Sequence, residues 1–225
     1  MRAVFLALAT ATLATAAPLH AQTAGTGFES QVKGGVDAWG AGNYEAAVRA
    51  WEGPAAKGDG DAQFNLAQAY RMGKGVGVDL RRAEDLYRKS AQQGHLKAGD
   101  NLGLLLFQTG RREEALPWIT RSSERGDPRS QYVLGIATFN GDGVTKDWIR
   151  AYALMTRASA AGLPQARDAL ANMDKLIPMK ERQLGVSLAG ELERQAQTAQ
   201  GQALAAADLG TTAPFRPSPA ARCPR

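Results

Sequence analysis

The residue types that could do chemistry are few in this chain, and their spacings decide what each can support. Ser30-Gln31-Val32-Lys33 has the Ser-x-x-Lys spacing of an acylating serine with a lysine one helical turn away. Acyl transfer also needs a general base and an oxyanion hole, and the companion Ser-Asp-Asn and Lys-Thr-Gly elements occur nowhere in the chain, so the match is read as chance. Gly73-Lys74-Gly75-Val76-Gly77 offers glycines and a lysine for a phosphate cradle, but no Gly-Lys-Ser or Gly-Lys-Thr follows. Asp79, Asp142 and Asp147 could supply oxygen to calcium, yet the closely spaced donor run of such loops is missing. His95 and Cys223 are too few and too distant to form a transition-metal site. The expectation is no catalytic residue, no metal and no cofactor.

These residues are set in a repeating pattern. Gly58, Gly94, Gly126 and Gly162 punctuate the chain at intervals of 36, 32 and 36 residues, a period that belongs to stacked supersecondary units. In the first unit Ala62, Leu66, Ala67 and Tyr70 recur at helical spacing, and Ala83, Leu86, Tyr87 and Ala91 do so after a glycine-rich link. The second unit repeats this with Ala98, Leu102, Gly103 and Leu106, then Ala115, Trp118, Ile119 and Ser123. The third does so with Ser130, Leu134, Gly135 and Thr138, then Ala151, Leu154, Met155 and Ser159. Each unit therefore reads as a helical hairpin. Small residues at 67, 103 and 135 mark the place where two helices cross closely. The punctuating glycines suit left-handed helix ends, and Asp59, Asp79, Asp127 and Asp147 suit N-caps. His95 stands where its sister units have Asp59 and Asp127, so it reads as a cap or an exposed residue.

Gly73-Lys74-Gly75-Val76-Gly77-Val78-Asp79 aligns without a gap on Gly141-Asp142-Gly143-Val144-Thr145-Lys146-Asp147, while the middle unit has a shorter link at 109–114. The pattern Gly-x-Gly-Val-x-x-Asp, followed by Ala-x-x-x-Tyr-x-x-x-Ala-x-x-Gly, resembles the Sel-one-like repeat family, relatives of tetratricopeptide repeats. The resemblance covers residues 40–173 and is strongest in the first and third full units. It implies an all-α, right-handed solenoid acting as an adaptor for other proteins, without a shared catalytic set. Some bacterial relatives carry a disulfide in every repeat and have been linked to penicillin binding. This chain lacks those cysteines, and with them the basis for such an activity.

The expected organisation is a signal peptide at 1–21, a short linker at 22–27 and a partial repeat at 28–58. Units follow at 59–94, 95–126 and 127–162, then a terminal helix and a capping helix within 163–195 and a disordered tail at 196–225. The signal is read from Arg2, the apolar run Ala3 to Ala17 and the small residue Ala21, with cleavage leaving Gln22 first. Export to the periplasm or the medium is the corresponding expectation, with no membrane anchor after cleavage. The full chain carries a formal charge of +5, and removal of Arg2 leaves +4. That mild excess lies partly in Arg216, Arg222 and Arg225 and does not suggest a nucleic-acid partner. In the capping helix, Leu184, Leu188 and Leu192 are expected to face the stack.

A row of first-helix positions counted from Leu66, Leu102 and Leu134 gives the candidate partner-binding residues. They are Phe64, Gln68 and Arg71, then Asp100, Leu104 and Phe107, then Arg129, Tyr132, Ile136 and Phe139. Their aromatic and arginine content suits a groove for a protein or peptide. The competing reading buries Leu104, Ile136 and Phe139 against the next unit. A glycan-binding module using Trp39, Phe107 and Tyr132 is the functional alternative, and a lactam hydrolase through Ser30 the remote one.

Overall fold

The computed structural model describes the backbone of residues 20–208 and the side chains of 28–198. Ten helices and no strand occur among them: α1 (His20–Gly40), α2 (Tyr44–Ala56), α3 (Gly60–Met72), α4 (Leu80–Gln92), α5 (Leu96–Gln108), α6 (Arg112–Glu124), α7 (Pro128–Asn140), α8 (Trp148–Ala160), α9 (Pro164–Leu176) and α10 (Met179–Asp208). Up to α9 each helix packs on its neighbours in sequence, so the chain is an all-α solenoid of hairpins. Most of the signal-peptide reading falls on residues 1–19, outside the described residues. Residues 22–27, read as a linker, continue α1.

The caps explain why the boundaries fall where they do. The Asp59 carboxylate accepts the Ala62 N–H at 2.8 Å, Asp79 that of Arg82 at 3.0 Å, Asp127 that of Ser130 at 2.8 Å and Asp147 that of Arg150 at 2.9 Å. His95 joins this set, its Nδ1 accepting the Ala98 N–H at 3.1 Å. Gly58, Gly94, Gly126 and Gly162 all have φ between +86° and +97°, the left-handed region in which a Cβ is penalised.

The central core runs from Ala67 and Tyr87 through Leu102, Leu106 and Ile119 to Leu134 and Leu154, flanked by an N-terminal cluster around Trp51 and a C-terminal one around Met155 and Met173. The crossings are as tight as the small residues suggest. A Cβ on Gly103 would stand 2.8 Å from Trp118 Cβ and 3.2 Å from the Ile119 backbone nitrogen. Gly35 in α1 has a similar purpose. Trp51 lies across Gly35, where a Cβ would meet its Nε1 at 2.2 Å, and that Nε1 donates to the Val32 carbonyl at 3.1 Å.

The C-terminal end departs from expectation in two respects. Residues 196–208, read as disordered, extend α10. The segment lacks an apolar stripe, but it is rich in Ala and Gln and free of proline, and intrinsic propensity sustains a helix begun upstream. The second departure concerns the face of α10. Gly185 and Ala189 are buried, whereas Leu184 is 47% exposed and Leu188 and Leu192 are half-buried. A Cβ on Gly185 would meet Tyr152 Cβ at 2.9 Å and the Ile149 carbonyl at 3.1 Å. Small residues let α10 lie directly on α8, and α10 therefore packs on α8 rather than across the outer side of α9. The Arg157 guanidinium, almost wholly buried, fastens it by pairing with Glu193 at 3.0 Å.

Candidate functional site

The ten candidate residues all lie on α3, α5 and α7; nine are half-buried and Arg129 is exposed. Their surroundings differ. Phe64 stacks on the His95 ring at 4.4 Å between centroids and approaches Tyr87 at 6.0 Å. Arg71 Nε donates to the Tyr87 hydroxyl at 3.3 Å, and burial raises that hydroxyl's pKa against the opposing effect of Arg71. Gln68 and Leu104 are half-buried beside them along the row. Asp100 pairs with Arg125. Phe107 packs against the central core with the Arg112 guanidinium 5.6 Å above its ring. Arg129 reaches Asp127 at 3.4 Å. Phe64, Arg71, Asp100 and Phe107 are thus engaged by their own chain.

Tyr132, Ile136 and Phe139 form a different environment. They occupy one face of α7 at spacings of four and three, and with α9 they line a groove of about 410 Å³. Its other wall is Gln165, Asp168, Ala169, Asn172, Met173 and Leu176. Phe139 is braced from behind by Trp148, ring centroids 6.1 Å apart. The floor is apolar, Leu176 at the rim is 63% exposed, and Asp168 and Asn172 are exposed beside it. The α9 wall was absent from the candidate row, although the same count carried from Leu170 falls on Asp168 and Asn172.

The rival chemistries find no assembled geometry. Ser30 and Lys33 are exposed on α1. Trp39 makes an edge contact with Tyr44 at 4.7 Å and a tilted contact with Trp51 at 5.5 Å, so it packs with the N-terminal core. It lies on α1, whereas Phe107 lies on α5 and Tyr132 on α7. Among the described residues no group of three His, Cys, Asp or Glu could hold a metal ion, and no helix is long and apolar enough to cross a membrane.

Hairpins stacked in sequence, each packed on the next, with a groove between neighbouring first helices, define a helical-repeat solenoid of the tetratricopeptide-like class. Its two longer units are Sel1 repeats: the Sel1 repeat model matches residues 60–95 and 128–163. The chain is 32% identical over 105 residues to an uncharacterized protein of Neisseria meningitidis serogroup B, an alignment covering 47% of this chain and 21% of that relative. Two solved structures share the fold. One is a Sel1 repeat protein from Oxalobacter formigenes, with a TM-score of 0.58, 24% identity and coverage of 72% of this chain and 70% of that one. The other is a protective antigen of uropathogenic Escherichia coli strains displaying an SLR fold, with a TM-score of 0.53, 22% identity and coverage of 88% and 52%.

Proposed function

We propose that this protein is an exported, non-catalytic adaptor that holds a segment of another protein in the groove between α7 and α9. Sel1-repeat solenoids commonly mediate protein–protein interaction, and one observation supports this location for the contact. Tyr132, Ile136, Phe139 and Leu176 leave an apolar trough open on a rigid helical scaffold, rimmed by Asp168, Asn172 and Gln165. An apolar centre with a polar rim is the usual anatomy of a protein-binding patch. It is a trough between two helices, open along one side, which suits the side chains of a peptide better than a small molecule buried on most of its surface. Export rests on the sequence of residues 1–21.

Leu176→Asp tests the groove, because the side chain is exposed and its replacement leaves the core untouched. The variant should melt within about 2 °C of the parent and lose partner capture, while Val78→Asp, at a residue 66% exposed outside the groove, should retain it. Equal capture by both variants would refute the groove. N-terminal sequencing of protein from the envelope fraction tests export, with Gln22 expected first.

A further inference from the structure

Resting on the proposed groove, the geometry points to the chemistry of what it holds: we infer that the α7/α9 trough selects an extended peptide with one lysine or arginine beside alternating large apolar side chains. The cation sits on Asp168, and the apolar groups run toward Leu176.

The carboxylate that reads the cation is the one left without a partner. On α3, Asp61 lies 3.4 Å from His95 Nε2, and on α5, Asp100 pairs with Arg125. On α9, Asp174 accepts from the Tyr152 hydroxyl at 2.8 Å and pairs with Arg182 at 3.2 Å. Asp168, also on α9, is exposed and has no hydrogen bond or ion pair among the described residues. Among the described residues lining the trough it alone is charged. A free carboxylate on an apolar rim attracts a basic segment and repels an acidic one, an effect that sets specificity more than affinity.

The trough also has a direction. Helices alternate in direction within stacked hairpins, so α7 and α9 run the same way, and the spacing from Gly126 to Gly162 (162−126=36) sets Tyr132 beside Asp168 and Ile136 beside Asn172. Leu176 lies eight residues beyond Asp168, about 12 Å along the helix, and with Phe139 it makes that end apolar. Lys175 stands at the same end, donating to Asn172 Oδ1 at 3.4 Å. A cation placed there meets repulsion, whereas one placed at Asp168 meets attraction.

The spacing of the occupant follows from these positions. An extended chain advances about 3.3 Å per residue and turns every second side chain to the same face. A basic residue over Asp168 therefore sets its second and fourth neighbours about 7 and 13 Å away, level with Asn172 and Leu176. Gln165 and Asn172 are exposed on the same wall, and their amides can both donate to and accept from an extended backbone. A helical segment pairs its own backbone and has no use for them.

The test is a random nonapeptide display library selected on the full chain and, in parallel, on Asp168→Lys, a change at an exposed side chain that leaves the core untouched. Peptides recovered on the parent should carry lysine or arginine two and four positions from large apolar residues, at least fivefold above the unselected library. Selection on Asp168→Lys should lose that basic preference in favour of aspartate or glutamate. Recovered peptides without a basic preference, the same preference on both proteins, or no enrichment over uncoated support would overturn the inference. Binding of the recovered peptides to Leu176→Asp separates the two claims. If they fail to bind Leu176→Asp but show no dependence on residue 168, only the charge inference falls. If they bind Leu176→Asp as well as the parent, the groove itself is wrong.

Discussion

Gln131 reaches back across a repeat boundary, its Nε2 donating to the Ser123 backbone carbonyl at 3.2 Å. Gln63 makes the same bond to Ala55 one pair of units earlier, also at 3.2 Å, and both glutamines are buried. Each ties the first helix of a Sel1 unit to a carbonyl in the last turn of the preceding helix, which also accepts the N–H of the closing glycine, Gly126 on Ser123 at 3.0 Å and Gly58 on Ala55 at 3.1 Å. The middle unit has Gly99 at this position, and Trp118 occupies the space, 3.1 Å from where a Cβ would stand. Gln131→Leu removes one of the donors to the Ser123 carbonyl, which keeps the Gly126 N–H, so stability should fall by about 0.5–1.5 kcal/mol. Urea denaturation followed by circular dichroism measures it, and an unchanged midpoint would contradict the role.

The two glycine-rich links place a glycine against the preceding hairpin. Gly75 has φ +72°, and a Cβ there would stand 2.4 Å from the Tyr44 carbonyl carbon. Gly162, at φ +86°, has open space around it. Gly162→Ala should cost roughly 1–2 kcal/mol from conformation alone. Gly75→Ala should cost clearly more, because backbone must move as well. Equal midpoints for the two variants would show that the contact with α2 is dispensable.

His95 caps α5 through an unprotonated Nδ1. His95→Ala should destabilise by about 1 kcal/mol, and His95→Asn should recover most of that loss. Thermal melts of the three proteins provide the comparison. Failure of Asn to rescue would assign the effect to the ring stacked on Phe64.

Glu84 joins α4 to α6, accepting from Arg88 at 2.7 Å and from Arg111 at 2.7 Å, while Arg111 also binds Glu114. Burial pushes the Glu84 carboxyl up, but the two arginines outweigh it and hold its pKa below the ordinary range. A depressed folded-state pKa contributes stability that is present above the unfolded value, near 4.3, and is lost as pH falls through the folded one. Glu84→Gln should therefore be less stable than the parent at pH 7, and the gap should close below about pH 4. A gap constant with pH would rule out the ionic contribution.

Much of this was legible from the residues. The hairpins, the four aspartate caps and the close crossings at Gly103 and Gly135 follow from types recurring at fixed offsets. What the sequence hid depends on the partner across an interface. Leu184, Leu188 and Leu192 look like a buried stripe because apolar periodicity cannot report which face a neighbour demands, and Tyr152 admits only Gly185 at the closest approach. Residues 196–208 lack a stripe yet stay helical, since a helix can outlast its packing. Phe64, Phe107 and Phe139 share a row and each is held by its own chain, but only beside Phe139 does the next first helix, α9, line a trough with it.

The most direct test of the account places a photo-crosslinker at Asn172, an exposed rim position, and irradiates the protein in the cells that produce it. A discrete adduct with another polypeptide, abolished by Leu176→Asp and unaffected by Val78→Asp, is the predicted result. No polypeptide adduct from position 172, with adducts instead from a crosslinker at Val78, would contradict the assignment of the α7/α9 groove as the binding surface.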